Sequence, residues 1–181
     1  MSWRIGELAG LHRRRLDTLR GRIEVAEVVT EPRGRVQFGP PKTRAGHRIV
    51  PVPRTVVGQL VEHLAGFSGE GPDGLVFPGR DGGVLRPAAW RQRVWRPAVE
   101  RAGLTPLVPH ELRHTAVSWW IADGADPKRI AVWAGHKSVR TILDLYGHLL
   151  DGDDEAFMTR LDARLVAAEP PVDAHVLKLP R

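Results

Sequence analysis

Pro109-His110-Glu111-Leu112-Arg113-His114-Thr115 is the stretch on which the reading of this chain turns. Pro106 and Pro109 precede it and Gly124 follows, so the spacing predicts a helix over His110–Ala122. Two readings compete for its first turn. Residues 110–114 match H-E-x-x-H, which puts His110 and His114 one turn apart as zinc ligands. That motif sits inside a long helix and needs a third ligand, yet the extended-motif positions hold Val117 and Trp120. The other reading pairs His110 with Arg113. Their i, i+3 spacing puts both on one face, at a helix N-terminus that favours anions. That is a phosphate clamp.

Helices surround this stretch. Downstream, Asp126-Pro127 supplies a cap and a first-turn proline for a helix over Asp126–Ala134. Ser138–Tyr146 and Asp153–Ala168 read as two more, and residues 169–181, with Pro170, Pro171 and Pro180, as a tail. Upstream, Pro87–Ala102 and Thr55–Ala65 are helical, with a glycine-rich segment over 66–85 between them that holds apolar Leu75-Val76-Phe77. The first helix is expected over 6–14. Residues 22–30, 35–38 and 47–52 read as strands, separated by Pro32-Arg33-Gly34 and by a loop from Gly39 to Gly46. The class is α+β: mainly helical, with a small three-stranded antiparallel sheet, in one domain over 1–168.

Composition narrows the partners. The chain has 181 residues, enough for one hydrophobic core, and a formal net charge of +6, which favours polyanions. Absence of cysteine removes disulfides, thiolate catalysis and cysteine zinc sites, and fits a cytoplasmic protein. No run approaches the ~18 apolar residues of a membrane helix, and no signal-peptide pattern opens the chain. Among 27 basic residues only Lys42, Lys128, Lys137 and Lys178 are lysine. Arginine holds phosphate but keeps its proton, whereas lysine can give one up. Lys42, in a hairpin loop, is therefore either a solvated charge or an acid.

Five words in order carry a resemblance. They are Arg4-Ile5-Gly6-Glu7-Leu8, then Pro41-Lys42-Thr43-Arg44-Ala45-Gly46-His47-Arg48 with Val50-Pro51-Val52-Pro53, then Pro109–Thr115, then Gly135-His136-Lys137-Ser138, and Tyr146-Gly147-His148. Together they resemble the catalytic domain of the tyrosine recombinases, or phage-type integrases, over residues 4 to 165. The resemblance implies a metal-free, cofactor-free transesterification on double-stranded DNA. Tyr146 would attack the phosphorus, keep the 3′ phosphate and free a 5′ hydroxyl. Arg4 and Arg113 would hold the non-bridging oxygens with paired N–H groups, and His136 would add a donor. His110 would serve as base toward Tyr146 or as a further donor. Lys42 would protonate the departing oxygen.

Arg86, Arg91, Arg93 and Arg96 flank Trp90 and Trp95 on one helix, which the resemblance sets in the major groove. Arg44, Lys137 and Arg140 are expected on the DNA backbone. The resemblance further implies tetramers on two duplexes, with residues 153–168 packed on a neighbour, and neither a membrane nor a small-molecule substrate.

Three departures stand out. The family carries one or two helices before its first arginine, and often a separate helical core-binding domain. Here residues 1–3 read as the end of such a helix. The chain therefore reads as shortened, with Arg4 poorly held, and a remnant that binds DNA without cutting is the alternative. Leu11-His12-Arg13-Arg14-Arg15 puts charge where the family has tryptophan and a polar or acidic residue. Ala134 stands before Gly135 where a larger apolar residue is common.

Overall fold

The computed structural model describes residues 3–149 and 154–168. In chain order the elements are α1 (Ile5–Ala9), β1 (Leu16–Asp17), β2 (Arg22–Val25), β3 (Val28–Thr30), β4 (Gln37–Gly39), β5 (Arg48–Pro51), α2 (Arg54–Gly66), α3 (Pro87–Trp90), α4 (Arg96–Arg101), α5 (Glu111–Ala122), α6 (Pro127–Ala134), α7 (Arg140–Tyr146) and α8 (Asp154–Ala168). A π-helical turn over Arg91–Trp95 joins α3 to α4, so the helix expected over 87–102 is continuous but locally widened. The α+β class is as read. The tail at 169–181 lies outside the described residues. No described helix is long and apolar enough to cross a membrane.

The N-terminal part differs from expectation in two places. The helix expected over 6–14 stops at Ala9. Gly10 lies so close to the next strand that a Cβ there would stand 3.1 Å from the Glu27 carbonyl. Beyond it the backbone pairs with the glycine-rich segment: Val76 N–H donates to Leu11 O at 2.8 Å and Arg13 N–H to Gly74 O at 2.9 Å. The single strand expected over 22–30 is two strands, broken at Ala26-Glu27. β2 pairs antiparallel with β1 and β5, whereas β3 pairs only with β4 in a separate sheet. The break lets β3 sit on α1, where a Cβ on Gly6 would come within 2.5 Å of the Val29 carbonyl. The three-stranded sheet therefore contains Leu16–Asp17, a strand the sequence reading lacks, instead of residues 35–38.

The arginine run at 13–15 is not a misplaced surface charge. Arg13 donates to Leu64 O and Ser68 Oγ at 3.0 and 2.5 Å, Arg14 pairs with Asp73, and Arg15 pairs with Glu24 at 2.7 Å. Arg13 and Arg14 latch the end of α2 and the segment after it, and Arg15 holds β2, where packing was expected.

Two apolar clusters divide the molecule. Trp3, Leu11, Ile23, Val25, Val50, Val52 and Val76 form one, under α1 and the sheet. Val117, Ile121, Ile130, Ala131, Ala134, Ile142 and Tyr146 form the other, among α5, α6 and α7. The strand alternation of β5 explains the seam between them. Arg48 and Val50 point inward and Ile49 and Pro51 outward, so a charged residue enters the core beside α6.

Candidate active site

Arg48 is the joint of the site. Its guanidinium is buried and forks onto the Glu7 carboxylate, Nη1 to Oε1 and Nη2 to Oε2, both at 3.0 Å. The remaining donors reach Trp133 O at 2.9 Å and Gly46 O at 2.9 Å. One side chain thus ties α1, the Lys42 loop and the end of α6 together. It also lies over the Trp3 ring at 5.8 Å. Glu7 is equally buried and passes this anchoring on. Its carboxylate accepts from the Arg4 backbone N–H at 2.9 Å and from Arg4 Nη1 at 3.2 Å. Burial pushes the Glu7 carboxyl up, but hydrogen bonds and charge from Arg48, then Arg4, win and hold it below the ordinary carboxylate value. Arg4 is therefore held, contrary to expectation, with its side chain 49% exposed and free to meet a ligand.

Arg113 is placed differently. It lies on the buried face of α5 with Ala116 and Val117 and is 3% exposed. One Nη2 donates to the Ala134 carbonyl at the end of α6 and lies 3.3 Å from His136 Nε2. Burial, then repulsion from Arg4, pulls its pKa down to about 10, so it keeps its charge at neutral pH. A guanidinium has no acceptor, so His136 Nε2 must accept and Nδ1 carries the ring proton. Burial, then the charges of Arg113 and Arg4, lowers His136 to about 4. It is a neutral donor with a fixed tautomer.

The turn into α7 depends on Gly135. It caps α6 at φ 67°, and a Cβ there would lie 3.0 Å from Arg48 Nη1. Asp126 caps the other end of α6 through Lys128 and Arg129 N–H at 2.9 and 3.2 Å. The small Ala134 is fully buried, with its carbonyl on Arg113.

Arg4, Glu7, Lys42, Gly135, His136 and Lys137 line one open cleft of about 580 Å³. Arg4 and His110 share a second cleft with Trp3, Arg91 and Pro109. His110 is at the α5 N-cap, and burial, then His114, lowers its pKa. Tyr146 ends α7 with its ring in the helical cluster, 6% exposed. Its hydroxyl meets His114 Nδ1 at 2.5 Å. Burial raises the phenol pKa, partly offset by the charge of Arg113. Arg113, His136 and Tyr146 thus gather in the helical half, and Arg4 and Lys42 share the cleft with His136 from the sheet half.

His114, engaged with Tyr146, is not in a zinc-protease arrangement. Its ring stands edge-on to His110 with centroids 5.1 Å apart. Among the described residues no group of three or more His, Cys, Asp or Glu could hold a metal ion.

The residues expected on DNA fare unevenly. Arg44, Arg91, Arg93, Arg96, Lys137 and Arg140 are exposed. Arg96 pairs with Glu100 at 2.8 Å, and Arg140 lies 3.8 Å from Asp144. Arg86 is engaged within the chain, on Glu31 at 2.9 Å and the Gly34 carbonyl at 2.6 Å.

Three residues of the site escaped the sequence reading: Glu7, Arg48 and His114. Two left a signal. Arg48 stands in phase with Val50 and Val52 in an alternating strand, and Glu7 stands three residues after Arg4, the capping-box position. His114 was legible only as a zinc ligand.

The profile of the phage integrase family matches residues 2–152. The prophage integrase IntR of Escherichia coli K12 is 28% identical over 183 residues, covering 90% of this chain and 44% of that protein. Tyrosine recombinase XerD of Mycobacterium tuberculosis is 36% identical over 101 residues, covering 52% of this chain and 32% of that protein. The solved Tn1549 transposon integrase, in complex with circular intermediate DNA, superposes with a TM-score of 0.70 at 25% identity, covering 88% of this chain and 56% of that one. The chain spans less than half the length of these two curated relatives.

Proposed function

The chain belongs to the phage integrase family, and from that premise we propose that it breaks and rejoins DNA as the catalytic domain of a tyrosine-type site-specific recombinase. The observation that carries the proposal is the convergence of Arg4, Lys42 and His136 on one cleft, with Arg113 on His136 and Tyr146 beside them.

The chemistry follows from that arrangement. Tyr146 Oη forms a bond to the scissile phosphorus, and the bond to the 5′ oxygen breaks. The 5′ oxygen takes a proton from Lys42 and leaves as a hydroxyl, and the 3′ phosphate stays on tyrosine. The reverse step reseals the strand without an external energy source. Negative charge builds on the non-bridging oxygens. Arg4, Arg113 and His136 Nδ1–H are fixed donors aimed at that charge, and fixed donors cost little reorganisation when it develops. The built-in cations do the work that a metal ion does in other phosphoryl-transfer sites.

Residues up to 168 make up this domain. Double-stranded DNA is the partner, contacted by Arg44, Arg91, Arg93, Arg96, Lys137 and Arg140, with self-association on paired duplexes and a cytoplasmic setting. The test is incubation with nicked duplexes drawn from the ends of the DNA element that encodes the chain. A covalent adduct on a denaturing gel, lost in Tyr146→Phe, supports the reading. Salt-sensitive binding with no adduct favours a DNA-binding remnant instead.

A further inference from the structure

The step above leaves one proton unassigned, that of the Tyr146 phenol. His110 is the residue the sequence suggests. The structure instead sets the Tyr146 hydroxyl on His114, one helical turn further along α5. Oη lies 2.5 Å from Nδ1, with the rings tilted by 40° and their centroids 5.8 Å apart. A hydroxyl within hydrogen-bond reach of a ring nitrogen is placed for proton transfer.

Burial holds the phenol in its protonated form at neutral pH. With the ring hydrogen on Nε2, the phenol O–H donates to Nδ1, the arrangement a proton acceptor needs. The side chain is exposed, so an imidazolium formed there can be hydrated.

We propose that His114 is the general base of the reaction, taking the phenol proton from Tyr146 as the tyrosyl oxygen bonds to phosphorus. The inference rests on Tyr146 being the nucleophile. In the forward step the O–H bond breaks, its electron pair goes to the P–O bond, and the proton moves to Nδ1. In the reverse step the imidazolium returns that proton to the departing phenolate. Lys42 handles the other oxygen. The reaction thus has separate proton partners for its two ends, one on α5 and one on the hairpin loop. His110 is left to the cleft that it shares with Arg4.

The chain has a single tyrosine, so protein made with 13Cζ-tyrosine gives one signal. The titratable groups around the pair are His110 and Arg113 on the first turn of α5 and His136 from the turn before α7. In the wild-type chain the 13Cζ shift should be that of a phenol hydrogen-bonded to nitrogen. His114→Asn should move it, and His110→Asn should leave it. A shift that His114→Asn leaves unchanged overturns the proposal.

Adduct formation gives the second arm. His114→Asn should slow it ~100-fold or more. His114→Ala should recover several-fold with added imidazole. A wild-type rate in His114→Asn overturns this inference and leaves the nucleophile in place. Absence of any adduct from the wild type overturns the reading beneath it.

Discussion

The two halves of the molecule hold the two arginines of the proposed site by opposite means. In the helical half Arg113 is placed by packing: α5 buries it beside Ala116 and Val117, and a main-chain carbonyl takes its N–H. In the sheet half Arg4 is placed by charge: it hangs on Glu7, which hangs on Arg48, which ends on backbone carbonyls of Trp133 and Gly46. The packed arginine can be lost only with part of a core. The charge-held arginine can be released by a substitution that leaves both apolar clusters filled. The proposed chemistry needs both cations at once, so the proposed site is as strong as the weaker of two different anchors.

The largest expected effect breaks the charge chain. Arg48→Met strips the buried Glu7 of its buried partner and leaves it only the half-exposed Arg4, at a cost of up to ~3–5 kcal/mol in urea unfolding. Replacing both partners, Glu7→Leu with Arg48→Met, should restore most of that stability, because a buried pair and an apolar pair of similar size are nearly equivalent. Adduct formation should stay depressed in the double variant, since Arg4 has lost its holder. Recovery of both stability and activity would show that Arg4 needs no charge to place it.

A smaller effect tests the joint itself. Gly135→Ala forces a Cβ into left-handed backbone, costing ~1–2 kcal/mol, and toward Arg48. Both halves should feel it: thermal unfolding should shift down, and adduct formation should fall further than the stability loss explains. Next comes pH. His136 has a folded pKa of about 4 against an ordinary 6.5. Between these values the unfolded chain binds a proton that the folded chain does not. Stability should be full above ~6.5 and decline as pH falls toward ~4, and the decline should be shallower in His136→Asn. The smallest effect is a control. Asp126→Ala removes the α6 cap, costing ~1 kcal/mol with little change in adduct rate.

The helical half was the more legible of the two. Its helices are bounded by local chemistry, by Pro109, by Asp126-Pro127 and by Gly135, and those signals act within a few residues. The sheet half depends on contacts across the chain. Gly10 and the glycine-rich segment end α1 early, and β3 leaves its sheet to meet α1, which no local pattern announces. The site divides in the same way. The order of Arg4, Lys42, His110, Arg113, His136 and Tyr146 could be read from motifs. Spacing along the chain does not say which charge is buried or which histidine reaches the tyrosine. The Glu7–Arg48 pair joins elements far apart in the chain, the His114–Tyr146 contact joins α5 to α7, and Arg86 meets Glu31 while remaining exposed; such partners are set by the fold rather than by spacing.

The central claim is that Tyr146 becomes joined to DNA, and mass spectrometry of the trapped adduct tests it most directly. After nuclease and trypsin digestion, the peptide spanning 141–160 should carry a nucleotide through a phosphodiester on Tyr146, and the released strand should begin with a 5′ hydroxyl. A nucleotide on any other residue, or a 5′ phosphate on the released strand, would contradict the account.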